Sequence, residues 1–323
     1  MPNPPRPPDR ERTPGTEFLE SLRGMSEAER DAAIFREVSR GNIPDFMRPE
    51  NFYELAIYGS VNGEDVEVRI QVAIDYLAVG TNEDYVRVPV SPLLAQRIAD
   101  RFGWILPTET VVRELDEESK RERQDITYLA APDAAQLVID PSTGRQVYER
   151  WNHQTYGAYE GRWMRSVEFI EKINVLADEQ ILQRRMRPHR GGIRAGQSKD
   201  IIYHPEAQRK NTVCIFHPRV QGVNYVSHPD TYWDYSHGAR YLLNSARVIY
   251  YNRDGSVRRR RTMPVDEIYR DRNLYRLLSP SRMDVRQFYH RRPTGKTTFQ
   301  DLIPREERHA DVQPESPRRT LRV

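Results

Sequence analysis

The chain has 323 residues, of which 37% are hydrophobic and 30% charged, with 50 Lys+Arg against 47 Asp+Glu for a formal net charge of +3; mean hydropathy is -0.80. The length suits two modest domains or one large one. No apolar run approaches the ~18 residues of a membrane span and no basic segment with an apolar core opens the chain, so the expectation is a cytoplasmic protein without a membrane span or signal peptide.

The near balance of charge gives no global drive toward nucleic acid. Cys214 is the single cysteine, which excludes an internal disulfide and a cysteine-based zinc cage. Its setting, "TVCIFHP", reads as a buried strand in which the thiol packs as a small hydrophobe, with a catalytic thiol near His217 as the rarer alternative.

Residues 1–20, opening with "MPNPPRPPDRERTPGTE", are rich in Pro and charge without apolar period and are expected as a disordered tail. Residues 21–125 form a first α+β subdomain. Ser26 and Glu29 make a capping box before a helix whose apolar stripe is Ile34, Phe35 and Val38, closed by Gly41 and Pro44. "YELAIYGSVNGEDVEVRIQVAI" alternates apolar and polar residues on both sides of Asn62-Gly63, which predicts a hairpin. "DYLAVGTNEDYVRVPV" adds two short strands. Ser91, Pro92 and Gly103 then cap, start and stop a helix that packs through Leu93 or Leu94, Ile98 and Phe102. Another helix is expected from Thr108, with a fully charged far end that should protrude or fray.

Residues 126–288 are expected to form a second α+β subdomain, followed by a disordered tail at 289–323. The pattern "RWMRSVEFIEKINVLADEQILQRRM" places Trp163, Val167, Ile170, Ile173, Leu176 and Ala177 on one face of a long helix. Several short strands come after it, the last two joined at Asp254-Gly255. The fold class expected is α+β, with antiparallel sheet elements, packed helices and disordered termini.

All eight histidines lie at or after residue 153, so proton transfer or metal ligation is better sought in the second half. "SHPDTYWDYSHGARY" concentrates His228, Asp234, Ser236 and His237. On a helical turn Asp234 and His237 share a side, and His228 would complete a two-histidine, one-carboxylate set for a divalent metal. On a strand, Asp234 and Ser236 face away from His237, and the groups form no local site. Ser236 would need a base from elsewhere, and no G-x-S-x-G elbow is present. The bland reading is a buried network near Gly238. Lys199 and Asp200 in "GQSKDIIY", and His153 in "RWNHQTYG", are the nearby groups able to line the same cleft.

The segments "DYLAVGTNEDYVRVPVSPLLAQRIADRFGWILPT", "AGQSKDIIY" and "HPDTYWDYSHGARYL" together resemble a bacterial family of uncharacterised proteins with, in order, a D-Y-L-A-[IV]-G segment, an A-Q-R-I-A-D-R-F-G helix, a G-H-K-K-D motif and H-x5-D-Y-S-H-G. The resemblance covers roughly residues 30–280 and points to His153, Lys199, Asp200, His228, Asp234, Tyr235, Ser236, His237 and Arg240. Many members look secreted. Here Gln197 and Ser198 stand where the family motif has histidine and lysine.

The functional expectation is a hydrolase using His/Asp acid-base chemistry on a carbohydrate or peptide polymer, such as cell-wall material, held in a cleft. In that scheme a histidine activates water, Asp234 fixes its tautomer and Lys199 stabilises the oxyanion. The alternative is a non-enzymatic structural or interaction protein in which "DYSHG" is a folding motif. The basic runs "QRRMRPHRGGIR" and "RDGSVRRRR" and the tails would meet a protein partner. Nucleic acid is not expected there, because neither run is interleaved with stacking aromatics.

Overall fold

The computed structural model describes residues 3–22, 25–121, 138–139, 146–147, 158–159, 162–163, 199–203, 213–217, 221–226 and 237–278. In chain order the helices are α1 (Gly15–Ser21), α2 (Glu27–Ser39), α3 (Pro92–Phe102), α4 (Glu109–Arg121), α5 (Val265–Ile268) and α6 (Tyr275–Leu278). The strands are β1 (Tyr53–Val61), β2 (Glu64–Val72), β3 (Ala78–Gly80), β4 (Tyr85–Arg87), β5 (Trp104–Ile105), β6 (Val138–Ile139), β7 (Gln146–Val147), β8 (Ala158–Tyr159), β9 (Arg162–Trp163), β10 (Lys199–Ile201), β11 (Val213–His217), β12 (Gln221–Val226), β13 (His237–Gly238), β14 (Leu242–Tyr251) and β15 (Val257–Met263). The architecture is α+β.

The main sheet runs β1-β2-β14-β15, with β5 also paired to β14, and all its pairings are antiparallel. Asn62 and Gly63 carry φ of 53° and 79° in the β1–β2 turn, the left-handed backbone that this pair accepts readily. One face of the sheet is apolar: Leu55, Ile57, Val66, Val68, Ile70, Ala246 and Val248 are buried there. Helix α6 closes on it so tightly that a Cβ at Gly59 would lie 2.3 Å from the Leu277 side chain.

Helix caps follow the sequence signals. Ser26 and Glu29 form the reciprocal capping box of α2. Ser91 accepts the Leu94 amide at the start of α3, and Gly103 ends that helix in the left-handed region. Leu94, Ile98 and Phe102 are its buried face.

Five features depart from expectation. The Pro-rich start is packed rather than solvated: Arg12 donates to the carbonyls of Ile43 and Gly80, both at 2.7 Å, and Phe18 and Leu19 of α1 are buried. Apolar period is too crude a signal where a guanidinium can tie a strap to backbone carbonyls. The boundary expected at 125 does not separate two sheets, because β14 and β15 complete the sheet begun by β1 and β2. Arg162 and Trp163, expected to open a long helix, pair with Ala158–Tyr159 instead. The rest of that expected helix lies outside the described residues, as does the tail at 289–323. The charged end of α4 does not simply protrude, since Asp116 and Ser119 are buried. Finally, β10 and β13 pair in parallel within the second sheet, β12-β11-β10-β13.

Candidate acid-base site

The parallel pair β10–β13 puts Lys199 opposite His237 and Asp200 opposite Gly238. Neighbouring residues on a strand face opposite ways. Lys199 and His237 therefore share one face, while Asp200 shares the other with Arg240, two residues beyond Gly238. The chain between Gly238 and Leu242 is held on its second side by Leu77 donating to the Ala239 carbonyl at 2.8 Å and Ala73 donating to the Tyr241 carbonyl at 2.9 Å.

On the Asp200 face the polar groups interlock. Tyr76 donates its hydroxyl to Asp200 Oδ2 at 3.0 Å, and Arg240 Nε lies 3.5 Å from Oδ1. The Arg240 guanidinium also stacks over the Tyr76 ring at 4.4 Å and donates to the Ala73 carbonyl at 2.7 Å. Next to it, Arg87 forms a two-pronged ion pair with Asp75, one arm at 2.7 Å. Lys199, Asp200, His237 and Arg240 are each no more than 2% exposed.

Burial pushes the Asp200 carboxyl up to about 6, against the opposing pull of Arg240 and the Tyr76 hydroxyl, and the charge of Asp116 adds to the rise. Asp75 moves the other way. Burial opposes its ionisation too, but Arg87 and then Arg240 outweigh that and hold it below the usual carboxylate range. Two buried aspartates thus have opposite tendencies, an arrangement that lets one stay charged while the other exchanges protons near neutrality.

No family model matches the chain, and no curated protein or solved structure is similar to it.

Of the groups singled out from the sequence, the structure brings Lys199, Asp200 and His237 onto adjoining strands, with Arg240 just beyond Gly238. It divides them between two faces, so Lys199 and Asp200 do not act side by side. His153, His228, Asp234 and Ser236 lie outside the described residues, as does Tyr235. For the expected metal set, His237 alone is described. Among the described residues, no group of three or more His, Cys, Asp and Glu side chains gathers to hold an ion.

Sequence reasoning missed Asp75, Tyr76, Arg87 and Asp116. A signal for two of them existed: Asp75 and Arg87 are the charged residues within the apolar runs "VAIDYLAVG" and "YVRVPV". A charge embedded in such a run needs a buried partner.

Proposed function

We propose that the β10–β13 region is the acid-base centre of a hydrolase acting on a carbohydrate or peptide polymer, with His237 as the base that activates water and Lys199 as the cation that stabilises the developing oxyanion. The observation that carries this reading is the register pairing of Lys199 with His237 on one face of the two strands. Asp200 is then a positioning residue. Through Arg240 and Tyr76 it fixes the backbone on which the working pair stands. His228, Asp234 and Ser236 precede β13 by at most nine residues, and in this scheme Asp234 orients an imidazole.

The test is release of soluble fragments from peptidoglycan and from polysaccharide and peptide polymers by the purified chain. His237→Ala and Lys199→Met are each expected to lower the rate at least about a hundredfold, in line with loss of a general base or an oxyanion donor. Full activity in His237→Ala would end this reading.

A second reading is favoured by the deep burial of Asp75, Arg87, Asp200 and Arg240: the network is a folding motif of a non-enzymatic protein. Under it, His237→Ala and Lys199→Met lower the melting temperature and no polymer is cleaved by the parent chain.

A further inference from the structure

The main sheet has a second face, turned away from the apolar core. Register places Tyr58, Glu67, Ile249 and Arg260 in one row across β1, β2, β14 and β15, and Ala56, Arg69, Arg247 and Thr262 in the next. A hollow of 310 Å³ opens here, lined by Arg69, Arg247, Ile249, Tyr251, Arg260, Arg261 and Thr262. Tyr58 stands at the other end of its row and is 71% exposed, a large aromatic ring offered to solvent.

The charges on this face are not explained by protection of an edge strand. Charged side chains on β15 would deter sheet-to-sheet pairing, but Arg69 and Arg247 sit directly opposite each other on β2 and β14, inside the sheet. Like charges so placed repel. Glu54 answers part of that repulsion by accepting from both, Arg69 at 3.3 Å and Arg247 more closely. Glu67 lies buried beneath, accepting from Arg69 at 2.5 Å and from the Tyr251 hydroxyl. With Glu54 and Glu67 so engaged, Arg260 has no carboxylate within ion-pair distance among the described residues, and its side chain is exposed.

We propose that this outer face binds single-stranded nucleic acid, with Arg69, Arg247 and Arg260 meeting phosphates and Tyr58 and Tyr251 offering rings on which bases stack. Guanidinium forks match phosphate oxygens. A sheet that interleaves cations with aromatic rings is suited to unpaired bases, whose faces are accessible for stacking. The run "VRRRR" alone lacked the aromatic component, and the fold supplies it from β1 and β14. An acidic peptide would use the arginines and leave the rings idle.

The test is fluorescence anisotropy of a labelled oligothymidylate with the full chain, titrated at several salt concentrations, alongside polyglutamate and phosphatidylglycerol vesicles. Oligothymidylate is expected to bind tightest, with affinity falling as salt rises. Tyr58→Ala should weaken it about fivefold or more without changing the salt slope, since stacking is worth ~1–3 kcal/mol per base. Arg260→Glu should weaken it and lower the slope by about 1 to 2. Both side chains are exposed, so the variants should melt with the parent. No binding at low salt, equal binding of polyglutamate or vesicles, or parental affinity in both variants would overturn the proposal.

Discussion

Replacing Asp200 with asparagine isolates the energetic consequence of burying that carboxyl. An ordinary aspartate titrates near 3.9, whereas Asp200 is pushed up to about 6; at 1.36 kcal/mol per pH unit the difference is about 3 kcal/mol. The folded state binds the proton more tightly than the unfolded chain, so the associated stability is fully present below pH ~4 and is lost as pH rises through 6. Asparagine resembles the protonated acid and does not titrate. Any difference between the amide and the protonated acid in their contacts with Arg240 and Tyr76 is constant with pH and cancels when the pH dependence alone is compared. Urea unfolding of both proteins followed by tryptophan fluorescence from pH 4 to 7.5 is the assay, with parent and variant measured in the same buffers. The stability of Asp200→Asn relative to the parent is expected to rise by about 2 kcal/mol between pH 4 and 7, with little further change above. Parallel curves, differing by a constant across that range, would show that Arg240 and Tyr76 hold the carboxylate ionised in the native protein and would refute the reasoning.

Two further outcomes concern buried charge. Arg12→Ala removes donors from the Ile43 and Gly80 carbonyls and should cost about 2–4 kcal/mol in chemical denaturation; an unchanged midpoint would mean that the N-terminal strap contributes nothing. Arg87→Met strips Asp75 of its two-pronged partner and should cost about 3–5 kcal/mol, while the double variant with Asp75→Asn should recover most of that. Additive losses in the double variant would show that the two side chains are not energetically coupled.

Local chemistry was well encoded in the sequence. The Asn62-Gly63 hairpin, the Ser26/Glu29 capping box and the Ser91-Pro92…Gly103 helix appear where short-range rules place them, because each depends on residues within a few positions of one another. Long-range partnership was not encoded in the same way. Nothing adjacent to "ARVIYY" announces that it pairs with β2, and nothing near Arg12 names the carbonyls of Ile43 and Gly80. The candidate site shows both sides of this. Lys199, Asp200 and His237 were found as chemically capable residues, but the division of Lys199 from Asp200 follows from strand alternation, and the hydroxyl that Asp200 accepts comes from Tyr76 in a distant segment. The histidine-free first half supplies Asp75, Tyr76 and Arg87, so the uneven distribution of histidine was a poor guide to where the network's charges would come from.

The position of β14 between β2 and β15 also constrains how the chain is made. When β1 and β2 leave the ribosome, the β2 edge carrying Val66, Val68 and Ile70 has no neighbour until residues 242–251 are synthesised. At ~5–20 residues per second, that wait is roughly 10–35 s. During it an apolar hairpin with an open row of amides and carbonyls is exposed to other nascent chains. The sheet closes late, and the last strands to emerge seal it.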